Sequence, residues 1–294
     1  MANYPRLSIV FPNLNGAKVL SAFLNSVKGS SYDKRKLEII MVDNGSSDGS
    51  IEFVRQNFPK VKIIQSGRNF GFAKAVNLGI QKSLGVYIFV TNNDVLLDKN
   101  CLKNLAEFAK KNKIIGVTGP IVFENSKQIP VKSLKFNFYT GLFKKLNTLE
   151  ESDWISGAGM FFQKKLWQKL GGFDEGFFFT FEDLDFCLRA KRAGFRIIHT
   201  PKAKIFHQEG ATVNRPEFTY FKYFESYKSK LRLVLKHANL FQILTSFVLQ
   251  FFVFAPYRFF VLKEKSFIPL IKALSWNLQH LSQTLSVRRK IYAV

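Results

Sequence analysis

Two short groups of polar residues carry the types and spacing that could perform chemistry in this chain of 294 residues. The first group follows an apolar run and consists of Asn92, Asn93 and Asp94. The second follows a Phe-rich run and consists of Glu182, Asp183 and Asp185. A buried carboxylate is costly unless a cation or a proton compensates its charge. Carboxylates at the ends of buried elements therefore indicate an active site that binds a divalent metal and performs general-base chemistry.

Alternating strands and helices in the first half of the chain must position these groups. Apolar runs predict strands at 7–11, 37–42, 61–65, 86–91 and 114–118, and helical periodicity predicts helices at 17–28, 50–57, 72–84 and 99–111. This repetition predicts an α/β fold with a mostly parallel sheet covered by helices on both faces. Ligands of such sheets bind outside the carboxyl ends of the strands, so we expect one crevice there.

The pattern is less regular from residue 124 to residue 199. We expect loops or a hairpin at 124–153, a strand at 154–162, a helix at 182–192 and a short strand at 196–199. Gly157 and Gly159 would allow another group to approach the backbone of the strand at 154–162 closely.

Composition limits the class of protein. Hydrophobic residues make up 47% of the chain, enough for a large core, and the formal net charge is +23. This charge predicts attraction to a polyanion, which could be nucleic acid, an anionic membrane or a phosphorylated substrate. We expect a cytoplasmic protein, because the N-terminal segment does not resemble a signal peptide and Cys101 and Cys187 are too few for a disulfide framework.

Residues 216–294 are predicted to form a basic, aromatic-rich helical extension to a catalytic domain at 1–215. The apolar segment 240–262 is long enough to cross a bilayer, but Gln242, Gln250, Pro256 and Arg258 interrupt it. Polar breaks and flanking basic residues favour helices that lie on the inner face of the cell membrane. The alternatives are a helical cap on the catalytic core and a dimer interface.

Six motifs occur in an order that resembles the family 2 glycosyltransferases, and in particular their rhamnosyltransferase-like branch. The resemblance covers residues 7–207. Its motifs are Val42-Asp43-Asn44-Gly45-Ser46, Asn69-Phe70-Gly71-Phe72, Asn92-Asn93-Asp94, Gly171-Gly172-Phe173-Asp174-Glu175, Glu182-Asp183 and His207. It implies the GT-A fold, an inverting reaction, and a nucleoside-diphosphate sugar donor, linked to dTDP, UDP or GDP, whose diphosphate lies on Mn2+ or Mg2+.

The resemblance also implies roles for particular residues. It places Asp94 and His207 on the metal, with Asn92 departing from the Asp-X-Asp form common in the family. His207 lies 24 residues beyond Asp183, the spacing of the family's metal-binding histidine. The expected donor-binding residues are Pro12, Asn15, Asp43, Asn69, Asn92 and Asn93.

Asp183 is the expected catalytic base, because an inverting displacement needs one carboxylate to accept the proton of the acceptor hydroxyl. Glu182 is the alternative base. Residues expected to contact the acceptor or support the site are Trp154, Gly157, Glu182 and Arg189. Structural alternatives remain for several of these: Thr180 and Asp183 could form a capping box, and Asp185 and Arg189 an intrahelical pair.

The sequence therefore predicts a metal-dependent hexosyltransferase, for rhamnose or another hexose, that extends a glycan acceptor in the synthesis of cell-surface polysaccharide. A lipid-linked acceptor would explain the basic, aromatic C-terminal region. Two alternatives are a non-catalytic carbohydrate-binding protein on the same fold and a basic nucleic-acid-binding protein. We expect no nucleic acid partner, because acidic groups facing one crevice would repel phosphates in the absence of metal.

Overall fold

The computed structural model describes residues 4–124, 133–146, 149, 151–207, 219–263 and 267–292. The strands in this part of the chain are β1 (Leu7–Asn13), β2 (Leu37–Asp43), β3 (Lys62–Gln65), β4 (Tyr87–Thr91), β5 (Val95–Leu97), β6 (Ile115–Glu124), β7 (Leu134–Asn137), β8 (Leu142–Lys145), β9 (Gly159–Gln163) and β10 (Arg196–His207). The helices are α1 (Ala17–Lys28), α2 (Ser50–Asn57), α3 (Gly71–Gln81), α4 (Cys101–Lys111), α5 (Lys164–Leu170), α6 (Glu182–Arg192), α7 (Thr219–His237), α8 (Leu240–Leu249), α9 (Phe267–Gln279) and α10 (Leu281–Tyr292).

An eight-stranded sheet forms the centre of the molecule, in the order β3-β2-β1-β4-β9-β6-β10-β5. Four of its seven strand pairings are parallel, and the other three, which join β4 to β9, β9 to β6 and β10 to β5, are antiparallel. The sheet is thus mixed, with a parallel half built from the expected strand and helix repeats. Strands β7 and β8 form a separate hairpin within the region expected to be loops or a hairpin.

Side chains that alternate along the central strands build one core on each face of the sheet. Phe11, Phe89 and Phe161 belong to the core on one face, which α1 and α4 cover. Their neighbours on the opposite face, including Val10 and Val90, belong to the core that α3 and α6 cover. Both cysteines are buried, one in each core.

The predicted strand at 154–162 is shorter than expected, because β9 begins only at Gly159. The backbone N–H of Gly157 donates to the side chain of Asp183 at 2.8 Å, so it takes no part in a strand ladder. The predicted strand at 196–199 is longer than expected and continues to His207, with an irregular pairing between His199 and Lys204. This extension carries His207 to the sheet edge beside β5.

The C-terminal helices pack on the catalytic half through α7. Buried apolar residues of α7, including Leu233 and Val234, share a cluster with Phe177 and Leu184. The segment Leu240–Val261 is a continuous helical stretch long and apolar enough to cross a membrane, and it is the only such stretch among the described residues. It comprises α8 and two π-helical segments, Gln250–Phe254 and Tyr257–Val261. Large apolar side chains on it are exposed.

Candidate active site

The ends of β1, β2 and β4 are joined by a chain of side-chain hydrogen bonds. Asn13 and Asp43 are partners in the parallel ladder of β1 and β2, and Asn13 Nδ2 donates to Asp43 Oδ1 at 3.0 Å. Asn93, which follows β4, donates from Nδ2 to Asn13 Oδ1 at 2.7 Å. Parallel strands end at the same edge of a sheet, so these polar residues meet where a ligand crevice was expected.

Asp43 also fixes the loop that follows β2. The N–H groups of Gly45 and Ser46 donate to Asp43 Oδ2 at 3.1 and 2.9 Å, and Gly45 has φ +87°, which favours glycine. Asn15 closes the loop from the other side, because its N–H donates to Ser46 Oγ at 2.9 Å and its Oδ1 accepts from Ser47 N–H at 2.9 Å. The carboxylate retains acceptor capacity beyond these donors.

The remaining expected donor-binding residues lie around this loop. Pro12 is half-buried near the end of β1, and Asn69 is exposed in the loop between β3 and α3. Asn69 Oδ1 accepts from Gly71 N–H at 2.9 Å, which shapes the start of α3. The loop of Asn69 borders the loop of Asp43, because the backbone of Arg68 lies about 3.0 Å from where a Cβ on Gly45 would stand.

Asp94 and His207 meet at the far end of the same edge. His207 is paired with Val95 in the antiparallel ladder of β10 and β5, which places its imidazole beside Asp94. The distance from Asp94 Oδ1 to His207 Nε2 is 3.2 Å, and both side chains are about 15% exposed. Asp94 Oδ1 is buried and accepts no hydrogen bond from the described residues. Asn92, half-buried, stands two residues before Asp94.

The pair of a carboxylate and an imidazole fits a divalent cation. An oxygen ligand with an imidazole suits Mn2+ and related metals, and the buried Asp94 Oδ1 has a lone pair to give. Within the described part of the chain, no group of three or more His, Cys, Asp or Glu residues is arranged so that it could hold a metal ion. With two protein ligands, most coordination positions of the cation would be filled by diphosphate oxygens and water.

The second carboxylate group lies at the start of α6, where Asp183 is held by two backbone donors. Gly157 N–H donates to Asp183 Oδ2 at 2.8 Å, and Leu184 N–H donates to Asp183 Oδ1 at 2.7 Å. Thr180 and Phe181, directly before α6, have φ +62° and +69°, a conformation that costs energy in non-glycine residues. No side chain caps the helix, so the capping-box alternative for Thr180 is wrong.

Burial raises the pKa of both carboxyl groups at this helix start. Burial, and next the charge of Asp183, raise the pKa of Glu182 well above its usual value. Burial also raises the pKa of Asp183, but the N–H groups of Gly157 and Leu184 oppose this effect. Glu182 Oε2 is buried without a partner among the described residues. The pair therefore favours a proton on Glu182 and a negative charge on Asp183, the form a general base needs.

Trp154 and Gly157 frame Asp183. A Cβ on Gly157 would stand 2.9 Å from Phe72 Cζ, so the close approach of α3 requires glycine there. The ring of Trp154 is half-buried and lies 5.2 Å from the ring of Phe143 in the β7–β8 hairpin. Phe143 in turn stacks on Phe181, at 6.4 Å between ring centroids. No motif in the sequence connects this hairpin with Asp183.

Contacts between the end of β4, the start of β9 and the start of α6 bring Asp94 and Asp183 to one edge of the sheet. Thr91, which precedes Asn92, pairs with Gly159 in the β4–β9 ladder and donates from Oγ1 to the carbonyl of Ala158 at 2.8 Å. The adjacent residue, Gly157, binds Asp183. From the side of α3, Phe72 N–H donates to the carbonyl of Phe178 at 3.0 Å.

Arg189, expected to contact the acceptor or support the site, forms its hydrogen bonds where α6 meets α5 and α7. Its Nε donates to Asp185 Oδ2 at 2.8 Å and its Nη1 to the carbonyl of Leu170 at 2.8 Å. The intrahelical pair of Asp185 and Arg189 is thus present. Asp185 also meets two residues of α7, Lys236 Nζ at 2.5 Å and His237 Nε2 at 2.8 Å.

This junction of α6 and α7 contains residues that the sequence did not single out. Lys236 Nζ also reaches Asp174 Oδ2 at 2.6 Å. Burial would raise the pKa of Asp185, but Lys236 and Arg189 hold it well below its usual range. Burial lowers the pKa of His237 to about 4 despite its bond to Asp185. The signal present in the sequence was Asp174 in the Gly-Gly-Phe-Asp-Glu motif, but its partner lies 62 residues away.

Comparisons with known proteins agree with this architecture. A family model described as "Glycosyl transferase family 2" matches residues 8–171. N-acetylglucosaminyl-diphospho-decaprenol L-rhamnosyltransferase of Mycobacterium tuberculosis (strain ATCC 25618 / H37Rv) is 27% identical over 232 residues, which cover 67% of this chain and 74% of that protein. The dTDP-rhamnosyl transferase RfbF of Shigella flexneri is 26% identical over 203 residues, which cover 66% of this chain and 65% of that protein.

A solved structure supports the fold. The mannosyltransferase PcManGT from Pyrobaculum calidifontis, in complex with GDP-Man and Mn2+, has a TM-score of 0.61 and 17% identity, and the match covers 99% of this chain and 86% of that one. Identity this low shows the fold alone, and that fold is GT-A. The span matched by the family model ends before Asp183 and His207, so the roles of these two residues rest on their geometry here.

Proposed function

This chain belongs to glycosyltransferase family 2, and we propose from that premise that it transfers rhamnose or another hexose from a nucleoside diphosphate to a hydroxyl group of a glycan. The transfer inverts the anomeric carbon and depends on a divalent cation. One observation carries the proposal: the Asp94–His207 pair and Asp183 come from distant parts of the sequence to one edge of a GT-A sheet.

The crevice beside β1 and β2 would bind the nucleotide. Asp43, Asn13 and Asn93 form a network of fixed donors and acceptors at the strand ends, which suits the polar edge of a base and its ribose. Pro12, Asn15, Asn69 and Asn92 line or shape the same region. Relatives named as rhamnosyltransferases, one of them for a dTDP-linked donor, favour rhamnose, while UDP- and GDP-linked sugars remain candidates.

Asp94 and His207 would hold Mn2+ or Mg2+ together with the donor diphosphate. The cation supplies positive charge that stabilises the departing diphosphate. Its site requires only two protein ligands, so its affinity should depend strongly on the diphosphate oxygens. Asn92, in place of the usual carboxylate, adds no charge to this site.

Asp183 would accept the proton of the attacking hydroxyl. The N–H groups of Gly157 and Leu184 hold the carboxylate in one orientation and favour its charged form. Glu182, whose pKa is raised further, would be protonated when the reaction begins and is the weaker candidate for the base. Trp154 could pack its apolar ring face against a sugar, since saturated ring faces and aromatic rings bury well together.

We also propose a lipid-linked acceptor and a peripheral position on the inner face of the cell membrane. One relative is named for a decaprenol-linked substrate. The helical stretch Leu240–Val261 exposes large apolar side chains, among them Phe252 and Phe260 at 76% and 74% exposure. Basic residues along 219–263 and 267–292 would add attraction to anionic lipids.

A thermal-shift screen tests the proposed donor. We expect Mn2+ with one of the dTDP-, UDP- or GDP-sugars to raise the melting temperature, because a ligand of the folded state stabilises it by mass action. The shift should fall when EDTA replaces Mn2+. Slow release of nucleoside diphosphate from that donor would separate an enzyme from a non-catalytic carbohydrate-binding protein. A panel without any metal-dependent shift would contradict the proposal.

A further inference from the structure

A cavity of about 610 Å³ lies between the catalytic half of the molecule and the C-terminal helices. Its walls come from the ends of α5, α6 and α10, from α7, and from the turn at 171–175, and none of Asp94, Asp183 and His207 lines it. We propose that this cavity is a second binding site, for an anion that carries a phosphoryl group. Its volume lies within the roughly 300–1,000 Å³ typical of small-molecule sites.

Cationic side chains outnumber carboxylates in the cavity wall. The charged residues of the wall are Lys169, Arg189, Arg192, Lys236, Lys290, Asp174 and Glu175. Both acidic residues already have cationic partners, because Asp174 is bound by Arg232 at 3.1 Å and Lys236 at 2.6 Å. Glu175 is 3.8 Å from Lys74, which lies outside the wall. The surplus charge of the cavity is therefore positive.

Three of the wall cations have no carboxylate partner. Lys169, Arg192 and Lys290 come from α5, α6 and α10, and none forms an ion pair within the described residues. Lys169 Nζ lies 5.3 Å from the ring centroid of Phe195. A concave surface that gathers cations from three elements focuses positive potential and attracts anions.

Arg189 supplies a donor suited to a phosphoryl oxygen. Its Nε and Nη1 are bound to Asp185 and to the carbonyl of Leu170, but its Nη2 has no hydrogen-bond partner among the described residues. The side chain is 8% exposed, so an unpaired N–H there is costly. The planar fork of arginine matches phosphate oxygens, and an anion in the cavity would give Nη2 an acceptor after a small movement of the guanidinium.

Specific contacts hold the wall of the cavity in place. Arg192 Cζ lies 4.1 Å from the ring centroid of Tyr292, and both Arg192 Nη2 and Tyr292 Oη donate to the carbonyl of His237, at 2.8 and 3.1 Å. Arg288 Nη1 donates to the carbonyl of Ala238 at 2.7 Å. These contacts fasten α10 to α6 and α7, so the cavity is a built feature of the fold.

The phosphoryl group could belong to a soluble phosphate or to an anionic lipid headgroup, and one pair of variants tests both. K169Q/K290Q removes two charges from the cavity, and K110Q/K111Q removes two from the exposed end of α4 as a matched control. Melting temperatures of the full chain are measured with pyrophosphate in EDTA at constant ionic strength. Binding to phosphatidylcholine vesicles with and without phosphatidylglycerol is measured in parallel.

We expect pyrophosphate to raise the melting temperature of the wild type and K110Q/K111Q, and to raise that of K169Q/K290Q by less than half as much. If K169Q/K290Q shows a smaller melting-temperature shift with pyrophosphate but binds vesicles normally, the ligand is a soluble phosphate. If K169Q/K290Q binds phosphatidylglycerol vesicles more weakly than K110Q/K111Q, the ligand is a lipid headgroup. Equal behaviour of the two variants in both assays would overturn the proposal. None of these measurements depends on glycosyl transfer.

Discussion

At the scale of single residues, the proposal of Asp183 as the base rests on the contrast between two neighbouring carboxyl groups. Asp183 has a backbone N–H on each oxygen, whereas Glu182 Oε2 has no partner among the described residues. Burial raises the pKa of both groups, but the two N–H donors oppose the rise at Asp183, so the proton favours Glu182. Adjacent residues with opposite protonation are a common way to assign acid and base roles.

This contrast predicts how the stability of Glu182→Gln depends on pH. The folded-state pKa of Glu182 is raised, so the folded protein keeps a proton that the unfolded chain loses above about pH 4.5, the ordinary value. The contribution of Glu182 to wild-type stability therefore falls as pH rises from about 4.5 toward the raised folded-state pKa. Urea unfolding should show E182Q gaining stability relative to wild type from pH 5 to pH 8. Glu52→Gln, an exposed carboxylate on α2, is the control.

A constant stability difference between Glu182→Gln and wild type across that pH range would contradict the protonation of Glu182 in the folded protein. The difference should grow with pH, because glutamine has no proton to lose. Glu52→Gln tests whether the loss of any one carboxylate from this basic protein has the same effect.

At the scale of elements, α7 is joined to the catalytic half by buried charges. Lys236 is fully buried and contacts both Asp174 and Asp185, which joins α7 to the turn after α5 and to α6. A buried charge pair contributes little net stability by itself, but the loss of one partner leaves an uncompensated charge. This junction therefore constrains α6.

Lys236→Met should destabilise the protein by about 3 kcal/mol, the lower end for breaking a buried pair, because Arg232 and Arg189 still face the two carboxylates. Methionine keeps most of the side-chain volume, so the effect reports charge. Urea unfolding at pH 7 measures it, with Lys110→Met on the exposed surface of α4 as the control. A loss below about 1 kcal/mol would show that the junction is not important for stability.

Helices and strands were predictable from the sequence where the apolar periodicity and the residues that end such elements indicate the same bounds. Helices α1 and α6 have the predicted bounds, because each shows a 3.6-residue apolar pattern that stops at or shortly before a glycine, Gly29 after α1 and Gly194 after α6. The segment at 154–158 was assigned to a strand wrongly, since its apolar pattern does not reveal that Gly157 binds a side chain of α6. Pairings such as that of Lys236 with Asp174 depend on tertiary packing and have no local signal.

The candidate site was predictable to the extent that strand ends of one sheet must meet. The fold, the family and the enzyme class predicted from the motifs are confirmed, and hydrogen bonds at the strand ends connect Asn15, Asp43 and Asn93. The roles of individual residues stay predictions. Arg189, expected near the ligands, instead faces the α7 junction, because its i−4 neighbour Asp185 is buried beside it.

At the scale of the whole molecule, a net charge of +23 and an exposed apolar helical stretch suit an enzyme that works at an anionic membrane. The division into a catalytic domain at 1–215 and an extension at 216–294 remains a proposal, and its boundary lies outside the described residues. A helical cap or a dimer interface would use the same apolar side chains. The absence of a nucleic acid partner also stays a prediction.

Vesicle flotation separates these possibilities. Phe252→Asp/Phe260→Asp places two charges on the most exposed part of the apolar stretch, and we expect it to lower binding to phosphatidylglycerol vesicles at least tenfold, since each buried Phe contributes about 1.5–3 kcal/mol. Leu84→Asp/Val86→Asp, at exposed apolar positions before β4, is the matched control. Equal flotation of the two variants would refute membrane docking by this stretch, and a shift from dimer to monomer would indicate an interface between copies.

The most direct test of the proposed chemistry compares wild type with Asp183→Asn on the donor found by the thermal-shift screen. We predict that D183N keeps the Mn2+-dependent rise in melting temperature. The proposed contacts to the donor are made by Asp94, His207 and the residues at the strand ends, which this substitution leaves unchanged. Transfer of the sugar to an acceptor, or slow donor hydrolysis, should fall about 100-fold to 10,000-fold, the usual contribution of a general base. Turnover by D183N within a few-fold of wild type would contradict the assignment of Asp183 and the account of the site built on it.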